Sequence, residues 1–164
     1  MAEHLVEQVI EKLRYAKDLY YRLILVVGAA GRGKTVALQE LAKHTNAPLV
    51  NLNLELSRLM LDPTERQRTL QVPRLLDQIA ARPDSDAILL DNIELLFDVA
   101  LKQDPLRLLE RLSRNRTVVA AWNGSMENDR LIYAELDHPE YRCYPAGDFL
   151  VVNAEANGRS GAVM

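Results

Sequence analysis

The segment Gly28-Ala29-Ala30-Gly31-Arg32-Gly33-Lys34-Thr35 constrains this chain more than any other. Its glycines let the backbone curl with N–H groups turned inward, which makes a nest for an anion. Lys34 and Thr35 follow the last glycine directly and match G-x-x-x-x-G-K-[ST] at every fixed position. Ahead of the segment, Leu23 to Val27 is a continuous apolar run rich in branched residues, which predicts a buried parallel strand. Behind it, Lys34 to Lys43 predicts a helix, with Val36, Leu38 and Leu41 among its apolar positions and a break at Asn46-Ala47-Pro48. A glycine loop between a strand and a helix sets the positive helix end against whatever the loop holds. The expected ligand is a polyphosphate cradled by residues Gly28 through Val36. Lys34 would then serve the β- and γ-phosphates and Thr35 would serve Mg²⁺.

The rest of the chain alternates between two hydrophobic periods. Leu5, Val6, Val9, Ile10, Leu13 and Ala16 predict an amphipathic helix ahead of the main fold. A second strand is expected near Leu49 to Leu54. A helix start is expected at Asp62-Pro63-Thr64-Glu65, with Asp62 as cap and Pro63 in the first position. The helical pattern resumes after Pro73 with Leu75, Leu76 and Ile79, and Pro83-Asp84-Ser85 reads as a turn. Ala87 to Leu90 predicts a third strand, Asp104-Pro105 another helix start, and Thr117 to Trp122 a fourth strand that Asn123-Gly124 ends. Phe149 to Val152 is the candidate fifth. Alternating strands and helices imply βαβ units and a parallel sheet. Residues 1–153 form one expected domain, and the Gly-, Ala- and Asn-rich residues 154–164 form an expected flexible tail.

Further chemistry gathers at predicted strand ends. Ala87 to Asp91 is an apolar strand ending in an acid, so Asp91 is expected beside the glycine loop as a second Mg²⁺ ligand with Thr35. The next residue is Asn92, which accepts no proton. Glu94, two residues on, is therefore the candidate base, and its plain alternative is a solvated loop or capping residue. Asn123 follows the fourth strand and is either a contact for the γ-phosphate and attacking water or half of an ordinary Asn-Gly turn. Arg107, Arg111 and Arg114 recur at helical spacing, with Arg116 beyond them. They read as a finger completing a neighbour's site, as a contact to nucleic acid or partner, or as a solvated face. Arg130 and Arg142 are further finger candidates. His4, His44 and His138 lack ligand spacing, so no metal other than Mg²⁺ is expected. Cys143, among tyrosines, is expected to be packed.

Composition narrows the classes. A net charge of −3 does not demand nucleic acid, so DNA contact is expected only indirectly or through the basic helix face. One cysteine precludes an internal disulfide framework. No apolar run reaches the ~20 residues of a membrane helix, and the N-terminus lacks the pattern of a signal peptide. A cytoplasmic protein with no membrane partner is the expectation.

The order of Gly28–Thr35, then Leu90-Asp91-Asn92-Ile93-Glu94, then Val118 to Gly124 resembles the core of AAA-type ATPases. With the amphipathic helix leading into Tyr20-Tyr21-Arg22-Leu23 and the run Leu89 to Glu94, the chain up to about Asn153 also resembles the BrxF family, small P-loop proteins of type 3 BREX phage-defence systems. The resemblance implies a P-loop three-layer α/β sandwich with a five-stranded, mainly parallel sheet. It also implies ATP and Mg²⁺ as cofactors, Lys34 and Thr35 on phosphate and metal, Asp91 on metal, and other BREX proteins as partners. Two departures stand out. No C-terminal helical lid fits after Val152, and the acid pair is Asp91-Asn92 where a full motor carries Asp-Glu.

Three functions follow as expectations. The first is an ATPase subunit completed by oligomerisation. The second is a nucleotide-gated interaction module with little turnover. The third, ranked last, is a small-molecule kinase, because the stretch between Asn123 and Phe149 supplies only Arg130 and Arg142 for a lid. No N-K-x-D guanine-reading motif is present, which favours ATP over GTP.

Overall fold

The computed structural model describes residues 2–31, 33–61, 64–81 and 85–154, with Ala2 and Glu65 described in backbone only. The inner strand β1 (Leu23–Gly28) is buried at every position. A strand with no solvated face needs a neighbour on each side and a layer above and below. It pairs in parallel with β4 (Thr117–Glu127) on one side and with β7 (Leu150–Asn153) on the other. Beyond β4 lie β3 (Ala87–Asp91) and β2 (Leu49–Asn51), so five parallel strands run in the order β2-β3-β4-β1-β7.

Alternation along the strands sends successive side chains to opposite faces. Leu23, Leu25 and Val27 pack with Leu90, Trp122 and residues of α3 (Leu52–Leu59), α4 (Glu65–Ala80) and α5 (Pro105–Leu112). Ile24 and Val26 face the other way, onto α1 (Ala2–Ala16) and α2 (Lys34–Thr45). Two cores on one sheet make three layers, the arrangement expected of an α/β sandwich.

The sheet itself is larger than five strands. Asn123-Gly124 does not end β4. The strand continues to Glu127, turns at Asn128 and Asp129 (φ 51 and 63°), and returns as antiparallel β5 (Arg130–Tyr133), on which β6 (Arg142–Pro145) pairs in turn. The true turn needs two consecutive left-handed residues, which Asn-Asp supplies. An ideal Cβ on Gly124 would lie 1.8 Å from the Ile132 carbonyl oxygen, so this glycine marks a close strand crossing. Among the described residues no helix follows α5, and none is long and apolar enough to cross a membrane.

Two helices also depart from the sequence expectation. The stretch Leu49 to Leu54 splits into a three-residue strand and the start of α3, because the Asn51 side chain accepts the Leu54 N–H at 3.1 Å and caps a helix there. The buried pair Leu52 and Leu56 then follows helical spacing. Helix α4 runs through Pro73 without interruption, capped by a reciprocal Thr64–Gln67 box. Pro73 has no N–H for the carbonyl four residues back. That carbonyl, on Thr69, instead accepts the Gln103 side-chain amide at 2.7 Å. The cap is thus Thr64 and not the expected Asp62. Asp62 and Pro63 of the expected helix start and Pro83 and Asp84 of the expected turn lie outside the described residues, as do residues 155–164 of the expected tail. Ala154 belongs to the fold: it is buried, and its N–H reaches the Val27 carbonyl at 2.7 Å.

Candidate functional site

The C-terminal ends of β1, β2 and β3 come together beside the middle of β4. Gly28 stands opposite Asn123 in the register, and Asn51 opposite Asp91. In an open parallel sheet this edge is where ligands bind. Gly31 and Gly33 carry φ of +83 and +80°, left-handed values that a side chain resists, and Gly33 forms the N-terminal cap of α2. Gly28 adopts no left-handed angle and closes β1. Lys34 is buried and folded back on the loop: its ammonium donates to the carbonyls of Gly28 at 2.8 Å and Ala29 at 2.6 Å. Arg32 of the expected cradle lies outside the described residues. Ala29 and Ala30 are exposed, and Val36 stands half-exposed in the first turn of α2.

The Thr35 hydroxyl donates to Asp91 Oδ2 at 2.7 Å across 56 positions of sequence. Asp91 is buried, and its other oxygen accepts the Asn92 N–H at 2.9 Å. A hydroxyl and a carboxylate side by side at the head of the loop form a hard-oxygen pair, the donor set that suits Mg²⁺. Among the described residues no group of three or more His, Cys, Asp or Glu side chains is placed to hold a metal.

Glu94 lies at the same site. Asn92 takes a left-handed φ of 53°, turning the chain out of β3 into a short 3₁₀ turn, Glu94–Phe97. The Glu94 carboxylate accepts Asn123 Nδ2 at 3.0 Å and Asn53 Nδ2 at 3.2 Å. Burial, seconded by the charge of Asp91, raises its pKa above the ordinary value, while its own backbone N–H and the Asn53 amide pull the other way. Lys34, Thr35, Asp91, Asn92, Glu94 and Asn123 all line one cavity of about 360 Å³, floored by the glycine loop. The arrangement can hold a polyphosphate at the loop, a divalent ion at Thr35 and Asp91, and a water near a carboxylate poised to take its proton.

Asn53 is the site residue that sequence reading missed. It sits in the first turn of α3, where its Oδ1 also accepts the Leu95 N–H at 2.8 Å and its own N–H reaches the Asn92 carbonyl at 2.8 Å. Its signal is an Asn two residues past the second strand's end, which is visible only once α3 is recognised as a helix.

The described arginines do not converge on the cavity. Arg111 pairs with Asp77 at 2.7 Å, Arg114 stacks its guanidinium over Tyr20 at 4.7 Å, and Arg116 reaches the Ser85 carbonyl at 3.5 Å. Arg142 donates to the Gln103 carbonyl at 2.9 Å, whereas Arg107 and Arg130 are exposed. Cys143 is exposed, not packed, because β6 is the outer strand of the hairpin extension.

No protein-family model matches the chain, and no curated protein matches it. Among solved structures, one of PCH-2 from C. elegans is 18% identical over 93% of this chain and 42% of that chain, with a TM-score of 0.48. A structure of Drosophila ORC bound to DNA is 20% identical over 90% of this chain and 42% of that one, with a TM-score of 0.45. This chain thus spans well under half the length of either. The fold assignment rests on strand order and loop geometry: a mainly parallel three-layer α/β sandwich with a P-loop between the inner strand β1 and the helix that follows.

Proposed function

We propose that this chain binds ATP with Mg²⁺ at the Gly28–Thr35 loop and hydrolyses it as a subunit of a larger assembly. The observation that supports this best is the 2.7 Å contact between Thr35 and Asp91 at the loop, with Glu94 in the same cavity. The glycine loop and the N-terminus of α2 receive phosphate oxygens. Lys34 leaves the Gly28 and Ala29 carbonyls for the phosphates. Thr35 and Asp91 would hold Mg²⁺, which would supply charge neutralisation at the phosphate oxygens. Asn123 and Glu94 orient a water, and Glu94 accepts its proton. An arginine from a neighbouring copy or partner would complete the charge balance, since no described arginine lines the cavity.

Calorimetric titration with ATP and Mg²⁺ tests the reading. Saturable binding that Lys34→Ala weakens by about tenfold or more is the expected outcome. Absence of binding at millimolar ATP and GTP, with magnesium, defeats it. Activity rising more than linearly with protein concentration is expected of the assembly.

A second reading, a nucleotide-gated module with little turnover, draws on Asn92 at the usual acid position and on the two amides that tie Glu94 down. It predicts that a nonhydrolysable analogue changes oligomeric state or partner binding as well as ATP does. Membership of a type 3 BREX defence system, with other BREX proteins as partners, is proposed on the family resemblance alone. Methyltransferase and phosphatase-like genes of that system beside this one are the expected finding.

A further inference from the structure

Beside the P-loop cavity lies a second one of about 580 Å³ that shares two of its walls, Ala30 and Asn123. The β4–β5 hairpin and the chain after it build the far side. Ile132 offers an apolar floor, Glu127 and Glu135 line the same space, and Leu136 beside them is 82% exposed. Among the described residues neither carboxylate belongs to an ion pair. Among the described residues the Glu127 carboxylate accepts only the Ser125 hydroxyl at 2.7 Å, and Arg130 stands opposite it in the register without closing on it. Between Asn123 and Phe149 six acids outnumber two arginines. Such a surface repels phosphate backbones, so nucleic acid is a poor occupant. An apolar floor with an acidic rim is complementary to side chains that have an apolar stem and a cationic head.

We propose that this cavity docks a basic segment of a partner protein, with arginine or lysine stems on Ile132 and Leu136 and their cations met by Glu127 and Glu135. The hairpin is positioned to relay occupancy. Trp122 Nε1 donates to the Ile132 carbonyl at 3.0 Å, and Tyr133 stacks on Phe97 at 3.5 Å between ring centres. Phe97 closes the 3₁₀ turn that Glu94 opens, and Asn123 touches both cavities and Glu94. An effect on turnover would rest on the ATPase reading above, whereas docking itself does not.

The probe is the peptide acetyl-Leu-Arg-Leu-Arg-amide, with Leu-Gln-Leu-Gln as control, titrated by calorimetry and by fluorescence of Trp122, the only tryptophan. Saturable binding without nucleotide is expected, weakened about tenfold in the control peptide and about tenfold in Glu127→Gln/Glu135→Gln, whose melting temperature stays that of the parent. Lys34→Ala should bind the peptide like the parent, which separates this site from the nucleotide site. Heat and fluorescence that show no saturation at millimolar peptide overturn the proposal. Equal binding of the glutamine peptide, or an unweakened double variant, overturns it as well. Self-association that the double variant abolishes and the peptide leaves untouched would assign the cavity to a second copy instead, and overturn the partner.

Discussion

Replacing Asn123 by alanine probes the surroundings of Glu94 most directly. The amide lies 3.0 Å from one carboxylate oxygen, and Asn53 holds the other at 3.2 Å. Burial already raises the carboxyl above its ordinary value near 4.5, and Asp91 acts in the same direction. A hydrogen bond to a charged acceptor contributes about 1.5–3 kcal/mol. Glu94 is only partly buried, so water replaces some of the lost bond, and about 1 kcal/mol is the fitting figure. With that bond gone, the carboxyl should titrate higher in the variant than in the parent. The sign follows from the bond's preference: it favours the ionised form, so removing it favours the proton. Carbon-13 NMR of the glutamate carboxyls reads the midpoint without nucleotide. In the turnover profile the acid limb should move upward by the same amount, whatever happens to the maximal rate. A Glu94 midpoint that is the same in parent and variant would refute the bond's role.

Three further outcomes are expected. Gly124→Ala places a methyl against the Ile132 backbone and should cost about 2–4 kcal/mol in urea unfolding; an unchanged midpoint would mean that the strands part there easily. Phe97→Ala removes the ring stacked on Tyr133 and set edge-on to Trp122 at 5.2 Å, so it should cost about 3–5 kcal/mol by the same measurement and shift tryptophan emission to the red. The native Glu94 carboxyl titrates above its unfolded counterpart, so the folded chain holds more protons between about 4.5 and the raised value, and its contribution to stability falls as pH rises through that interval. Glu94→Gln should remove this slope, which urea midpoints of parent and variant across the interval will show.

The P-loop and Asp91 were legible because each announces itself within a few consecutive residues and ends an apolar strand. The contact between Thr35 and Asp91 follows from strands that a parallel sheet aligns. Asn53 was not legible, since its bond to Glu94 spans 41 positions and depends on a helix starting where alternation suggested a strand. Leu49, Leu52 and Leu54 satisfy both periods in part, and the Asn51 cap decides between them. The hairpin was hidden for a related reason. Asn123-Gly124 has the composition of a turn, but Gly124 is there for closeness to Ile132, while the reversal falls on Asn128-Asp129. Pro73 looked like an interruption because nothing local reveals that a side chain 30 residues later will serve the Thr69 carbonyl.

That last repair ties two distant positions into one evolutionary unit. Gln103 lends its amide to the defect in α4 and its own carbonyl to Arg142 in the hairpin. A relative that trades Pro73 for a residue with an N–H would close its own helix and relax the demand for an amide at position 103. A relative that keeps the proline but loses the glutamine gives up the 2.7 Å bond to the Thr69 carbonyl. The two positions are therefore expected to change together, and inserted residues are expected to avoid the segment between Lys102 and Asp104.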